Sequence, residues 1–133
     1  MTKPNVIFIL IDDMGWKDIS CMGSEFYESP NIDRIASEGM LFTDAYAACP
    51  VCSPTRASLM SGKYPARVGL THYIGHGNLA HQQGLTERGK LLGVPYVPYL
   101  STDEKSIATA FKQHGYNTWH LGKWHLGSEE YWP

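Results

Sequence analysis

The sequence feature that most constrains the fold is the apolar run near the start of the chain, within "NVIFILIDD". Residues 6–11 are apolar at consecutive rather than alternate positions, and several of them are β-branched. A strand buried on both faces has this pattern, and such strands occupy the centre of parallel sheets that helices cover. The run therefore predicts an α/β fold in which it forms a central strand.

Helical and extended patterns alternate along the rest of the chain, which favours a mostly parallel sheet flanked by helices. Helices are predicted within "SPNIDRIASEGM", with Ser29 as N-cap, within "SPTRASLMSGK", from Pro54 to Gly62, and within "DEKSIATAFKQHGY", with Asp103 near its start and Gly115 at its end. Further strands are predicted within "LFTDAYA" and "NTWHLGKW". So few strands predict that residues 1–133 are an incomplete part of a larger domain, with no internal domain boundary.

The segment from Gly69 to Ser101 shows no period. It carries His72, His76 and His81, whose spacing is not that of a zinc site, so a surface loop is expected there. A role in contacting substrate is the alternative, because long aperiodic loops are often functional.

Composition narrows the function classes. A formal net charge of −2 without a basic run argues against a dedicated nucleic-acid-binding protein, and no apolar run is long enough to span a bilayer. No signal peptide is visible. Three cysteines cannot all pair within the chain, and the C-x-x-C spacing of Cys49 and Cys52 lacks the second ligand pair of a zinc site.

Asp12 and Asp13 follow the apolar run directly. Open α/β sheets place their ligand sites at the carboxyl ends of strands, and adjacent carboxylates repel each other unless they share a cation such as Ca²⁺ or Mg²⁺. A solvated turn is the alternative interpretation. Two carboxylates cannot complete a shell of six or more oxygens, so a metal site would need further ligands.

Two other segments carry reactive groups. Cys52 lies at the start of a predicted helix, where free amides favour a thiolate or a bound oxyanion, and Arg56 follows one turn later. Lys123 and His125 alternate within "GKWHLG", where an extended backbone would place both on one face. A capping cysteine, a solvated lysine and a packed histidine are the structural alternatives.

Together, "PNVIFILIDDMGW", "CSPTRASLMSGKYP" and "GKWHLG" resemble the formylglycine-dependent sulfatases of the arylsulfatase type, in the alkaline-phosphatase-like superfamily. The resemblance covers essentially the whole chain and corresponds to the N-terminal part of such an enzyme. It implies that Cys52 is oxidised to formylglycine by a modifying enzyme, which reads Pro54 and Arg56 as part of its recognition sequence.

The resemblance also assigns the remaining roles. Asp12, Asp13 and the modified Cys52 would bind a divalent metal, Ca²⁺ in preference to Mg²⁺. Arg56 would steady the modified residue. Lys123 would bind the sulfate, and His125 would hydrogen-bond the formylglycine hydroxyl or the sulfate.

The function implied is hydrolysis of aryl or carbohydrate sulfate monoesters. Phosphonate or phosphate monoester hydrolysis, and a non-catalytic fragment or binding scaffold, are the alternatives. Such enzymes take further metal ligands, a second histidine and a second lysine from later in the chain. The remainder of the catalytic domain is therefore expected as a partner, and residues 1–133 alone are expected to be inactive. The sequence itself does not fix the compartment; the resemblance suggests a periplasmic, secreted or lysosomal location.

Overall fold

The computed structural model describes residues 3–75 and 94–133, together with the backbone pairing of Glu87–Arg88 and Leu91–Leu92. The chain divides into two compact units, Met1–Ala45 and Tyr46–Pro133, and each is described by itself. Of the predicted histidine loop, His72 is described, whereas His76 and His81 lie outside the described residues.

The first unit contains helix α1, Pro30–Glu38, preceded by a 3-10 turn at Ser20–Met22. The helix confirms Ser29 as the residue that precedes its first turn. It begins directly after Ser29, whose carbonyl accepts a hydrogen bond from the amide of Asp33 at 2.9 Å, and it ends before Gly39. Proline suits the first helical position because the N–H that it lacks would have no partner inside the helix.

Asp33 joins the start of α1 to the preceding turn. Its Oδ1 accepts hydrogen bonds from the Ser29 hydroxyl and from the amide of Cys21, each at 2.9 Å. Burial alone would raise the pKa of Asp33, but hydrogen bonds from Ser29, Cys21 and Ser20 together lower it. Burial and the neighbouring Asp33 both raise the pKa of the Cys21 thiol.

In its described residues, the second unit contains three α-helices and two short paired strands. Helix α2 spans Cys52–Ser61, α3 spans Pro65–Val68 and α4 spans Ile107–Gln113, followed by a 3-10 turn at Glu129–Tyr131. Strands β1, Glu87–Arg88, and β2, Leu91–Leu92, pair antiparallel. No helix in the described part of the chain has the length and apolar character needed to cross a membrane.

The two longer helices of this unit match their predictions with shifted starts. Helix α2 begins at Cys52, two residues before the expected Pro54, and ends at Ser61, with Gly62 as its C-cap at a φ of +68°. Helix α4 begins after Ser106, whose hydroxyl accepts from the Thr109 amide at 3.1 Å, and not near Asp103. Serine is a good N-cap because its oxygen satisfies an amide that the helix leaves without a partner.

A small core holds the second unit together. Ala57, Leu70, Leu100 and Leu126 are buried in one cluster, and Ile74 and Trp124 are among the half-buried side chains packed against it. The amide of Leu100 donates to the carbonyl of Leu126 at 2.9 Å. This core packs the middle of α2 against the segment that follows Lys123.

The structure does not confirm the predicted parallel sheet. Among the described residues, the three segments expected as strands form no ladder, and the side chains of residues 6–11 are 41% to 85% exposed. An apolar run specifies only that a segment suits a buried, pleated surface; it becomes a strand when a neighbour supplies backbone partners. The central strand predicted at residues 6–11 is therefore not confirmed, because the described chain supplies no strand that pairs with it.

Candidate active site

The start of α2 presents Cys52. This residue is the first of the helix, and its thiol is free and half-buried. The N-cap, Val51, supplies no side-chain hydrogen bond, but the Thr55 hydroxyl donates to the carbonyl of Cys49 at 2.6 Å. The backbone around residue 52 is thus tied to the preceding loop, while its side chain stays partly accessible beside the free amides of the first helical turn.

Arg56 lies one turn further along α2 and is only 8% exposed. Its Nη1 donates a hydrogen bond of 2.6 Å to the carbonyl oxygen of Lys123, which is 67 residues away in sequence. A guanidinium bound to a carbonyl makes a charge-assisted hydrogen bond, stronger than one between neutral groups. The structure therefore brings Arg56 and Lys123 together, and the bond that joins them runs to the backbone of the lysine.

His125 departs from the extended conformation expected for "GKWHLG". Its φ is +58°, in the left-handed region, so the extended backbone predicted for this segment does not continue through His125. Gly127 has a φ of +132°, and a Cβ there would lie 2.7 Å from the Cβ of Tyr131. The segment bends sharply and needs glycine at position 127, because a side chain would overlap with Tyr131.

The imidazole of His125 is held through one ring nitrogen. Its Nε2 lies 2.7 Å from the carbonyl oxygen of Ile74. The other nitrogen, Nδ1, is buried and has no hydrogen-bond partner among the described residues. A carbonyl oxygen only accepts hydrogen bonds, so Nε2 carries a proton in this arrangement.

Ser53 also contacts Ile74, through the backbone amide rather than the carbonyl. Its side chain is fully buried, and its Oγ accepts a hydrogen bond of 3.0 Å from the amide of Ile74. Sequence reasoning missed this connection. Ser53 could have been noticed as the polar neighbour of Cys52, but Ile74 contributes only backbone atoms, and its side chain carries no sign of this contact.

An open depression of about 490 Å³ lies beside His125. Its walls are largely aromatic, and Trp124 is fixed by a hydrogen bond of 3.0 Å from its Nε1 to the carbonyl of Tyr131. The residues that line it are His120, Gly122, Trp124, His125, Trp132 and Pro133.

Asp12 and Asp13 lie in the first unit, directly after the apolar run, and both are exposed. Asp13 has a φ of +58°, which aspartate tolerates better than most residues with a side chain. Adjacent carboxylates are hard oxygen donors, so this pair suits Ca²⁺ or Mg²⁺. The metal site that would join them to Cys52 stays a prediction.

The family model described as Sulfatase matches residues 4–130 of this chain. The chain belongs to the sulfatase family. It is 41% identical over 124 residues to N-acetylgalactosamine-6-sulfatase of Sus scrofa, an alignment that covers 93% of this chain and 22% of that protein. It is 38% identical over 126 residues to steryl-sulfatase of Homo sapiens, covering 95% and 20%. The chain thus spans about a fifth of the length of these relatives.

Solved structures show the same relationship. The chain superposes on the crystal structure of Ps i-CgsB with a TM-score of 0.80 at 34% identity, over 99% of this chain and 26% of that one. A Bacteroides thetaiotaomicron protein, from a locus for the metabolism of multiple glycosaminoglycans, gives a TM-score of 0.73 at 38% identity, over 94% and 22%. These likenesses support the recognition of a sulfatase, although the predicted sheet is not seen in the described residues.

Proposed function

We propose that this chain is part of a sulfuric ester hydrolase, that it forms the N-terminal portion of the catalytic domain, and that it carries the nucleophile and part of the sulfate-binding machinery. The observation that supports this most directly is the match of the Sulfatase family model to residues 4–130. The substrates would be sulfate monoesters of aryl alcohols or carbohydrates.

Cys52 is proposed as the precursor of the nucleophile, converted to formylglycine by a modifying enzyme. Two observations support this role: the residue is the first of α2, and it is half-buried rather than enclosed. Once hydrated, a formylglycine supplies one hydroxyl to attack sulfur and a second whose deprotonation releases the sulfate. The free amides at the start of α2 would meet negative charge on the sulfuryl oxygens.

Lys123 is proposed to bind the sulfate, and His125 to hydrogen-bond residue 52 or the sulfate. The ammonium supplies a compact positive charge, and Arg56 steadies its backbone through the 2.6 Å bond to its carbonyl. Because Nε2 of His125 is engaged with Ile74, the nitrogen left for such a role is Nδ1.

Asp12 and Asp13, with the modified Cys52, are proposed to hold a divalent cation, Ca²⁺ in preference to Mg²⁺. A bound cation would stabilise negative charge on the sulfate and on the attacking oxygen. Ca²⁺ takes six to eight oxygen ligands, more than these three residues provide. Residues 1–133 alone are therefore expected to hydrolyse no sulfate ester.

The depression beside His125 is proposed to receive the alcohol part of the ester. Aromatic walls provide flat apolar surfaces against which an aryl group or a sugar ring packs. Both aryl sulfates and carbohydrate sulfates are compatible with this proposal. It predicts that bulky alcohols bind on the side of His125 where Trp132 lies.

The test uses the complete product of the gene that encodes these residues, produced with a formylglycine-generating enzyme. Peptide mass spectrometry should find formylglycine at position 52, and the protein should cleave an aryl sulfate faster than the matching aryl phosphate. Cys52→Ala should abolish this activity, whereas Cys49→Ala, three residues earlier, should leave it within about twofold. Faster cleavage of the phosphate would favour a phosphate monoester hydrolase, and no cleavage of either would favour a scaffold.

The metal proposal has its own test. Removal of divalent ions with a chelator should abolish the activity, and added Ca²⁺ should restore it. Asp12→Asn and Asp13→Asn should each raise the Ca²⁺ concentration needed for half-maximal activity, while Glu25→Gln, an exposed carboxylate of the same unit, should not. Full activity after complete removal of metal would contradict the proposed site.

A further inference from the structure

The connection between Ser53, Ile74 and His125 links the residue next to the proposed nucleophile to the histidine of the same site. The amide of Ile74 donates to Ser53 Oγ at 3.0 Å, and the carbonyl of Ile74 lies 2.7 Å from His125 Nε2. The backbone amide and the backbone carbonyl of Ile74 are thus both hydrogen-bonded, the amide to the serine and the carbonyl to the histidine.

This connection selects one neutral form of the imidazole. A carbonyl oxygen has no proton to give, so a short contact at Nε2 requires the proton to be on that nitrogen. When the ring is neutral, Nδ1 then carries the lone pair. Nδ1 of His125 is buried and has no hydrogen-bond partner among the described residues, so its accepting capacity is not used elsewhere in the described chain.

The position of the Ile74 carbonyl depends in turn on Ser53. Ser53 is fully buried on α2, and helix α2 is fixed by the core through Ala57. Ile74 is only half-buried and lies just before the residues that the structure does not describe. The serine hydroxyl is therefore a hydrogen-bond contact that ties the Ile74 backbone to the helix, in addition to the packing of the Ile74 side chain against the core.

We infer that Ser53 is a positioning residue that, through the backbone of Ile74, holds His125 with its proton on Nε2 and presents Nδ1 as the hydrogen-bond acceptor toward residue 52 or the bound ester. This inference rests on the proposed sulfatase function, which it deepens by naming the acting nitrogen and the residue that orients it. Ser53 itself touches neither the substrate nor the reacting atoms.

The first test reads the protonation of the ring directly and needs no activity. The complete gene product is labelled with ¹⁵N-histidine, and the His125 signals are assigned by their loss in His125→Gln. At a pH at which the ring is neutral, the shifts should show a protonated Nε2 and a bare Nδ1. Ser53→Ala should give a mixture of both neutral forms. A protonated Nδ1 in the unsubstituted protein would overturn the inference.

The second test is kinetic. Activities are expressed per molecule that contains formylglycine, so that poorer modification of a variant is not mistaken for poorer catalysis. Ser53→Ala should lower kcat by roughly 10- to 100-fold with little change in KM, since a misplaced catalytic group lowers the rate more than it weakens binding. Ser53→Thr, which keeps the hydroxyl, should recover most of the loss.

Two comparisons separate positioning from general damage to the helix. Ser58→Ala removes another hydroxyl of α2, one that is buried without a hydrogen-bond partner among the described residues, and kcat should be nearly unchanged. In a His125→Ala background, Ser53→Ala should cause no further loss, because the group that it orients is absent. An additive loss in the double variant would refute the inference. Absence of sulfatase activity in the unsubstituted protein would instead refute the proposed function. The NMR measurement would then still decide whether His125 carries its proton on Nε2 and whether Ser53 is needed for that.

Discussion

Replacing Arg56 with methionine tests whether α2 holds the Lys123 segment by its backbone. Methionine has a similar length and fills much of the same volume, so the change removes the guanidinium without opening a large cavity. The change removes, among the contacts of Arg56, the 2.6 Å hydrogen bond from Nη1 to the Lys123 carbonyl. The carbonyl then loses its charged donor in a place where the arginine itself is 8% exposed.

The expected magnitude follows from that environment. A hydrogen bond to a charged group contributes about 1.5–3 kcal/mol, and the dry surroundings of Arg56 favour the upper part of this range. Methionine returns some free energy, because burying a charged side chain is costly. If all of the remaining free-energy loss weakens the placement of Lys123 in the transition state, kcat/KM falls by roughly 10- to 150-fold.

The assay measures kcat/KM for an aryl sulfate together with the midpoint of urea unfolding. Because Arg56 is also expected to be read by the modifying enzyme, activity is divided by the fraction of formylglycine found by mass spectrometry. Arg67→Met, at an exposed arginine near the end of α3, serves as control and should change neither quantity appreciably. If Arg56→Met kept its corrected kcat/KM within twofold and its unfolding midpoint unchanged, the backbone contact would not matter to the site.

Three further changes test the packing and the titrating groups. Leu126→Ala should lower the free energy of unfolding by about 2–5 kcal/mol in urea titrations, because Leu126 is fully buried in the core. Asp33 has a lowered pKa in the folded chain, so its contribution to stability is present above its ordinary pKa and is lost as the pH falls through the folded value. Asp33→Asn should remove that part of the acid-induced loss, and an unchanged acid profile would contradict the network. Tyr96 donates to the Tyr73 carbonyl at 2.8 Å, and burial raises the pKa of Tyr96. Its contribution should therefore be complete below about pH 10 and be lost as the pH rises through the folded value; Tyr96→Phe should cost about 1 kcal/mol at neutral pH and weaken this alkaline dependence.

The helices were predictable because their signals are local. A proline after a serine marks the start of α1, and glycines follow α1 and α2 directly. At the end of α4, Gly115 has a φ of +78°, and the amide of Tyr116 bonds back to the carbonyl of Phe111 at 3.1 Å, a closing turn that glycine permits. None of these features needs information from a distant part of the chain.

The sheet and the finer geometry of the site depend on distant partners. A strand preference in residues 6–11 does not say which segment supplies its hydrogen bonds, and the described chain supplies none. Lys123 was predicted near α2 only through the family resemblance, because nothing in its local sequence specifies a contact 67 residues away. The bend at His125 was missed because a positive φ at a residue other than glycine leaves little trace in composition.

The spacing of Ser53 and Arg56 after Cys52 has a geometric reason in helix α2. Ser53 and Arg56 are three residues apart on α2, so they share a face of the helix, and both are buried. Ser53 accepts a hydrogen bond from the amide of Ile74, and Arg56 donates one to the carbonyl of Lys123. Shifting either residue by one position would rotate its side chain by about 100° around the helix axis and break its contact. The same rotation would move it relative to Cys52, whose place at the start of the helix sets where the proposed nucleophile lies. A single face of α2 therefore contacts both the Lys123 carbonyl and the backbone of Ile74, to which His125 is bound, and the three-residue spacing of Ser53 and Arg56 follows from the pitch of the helix.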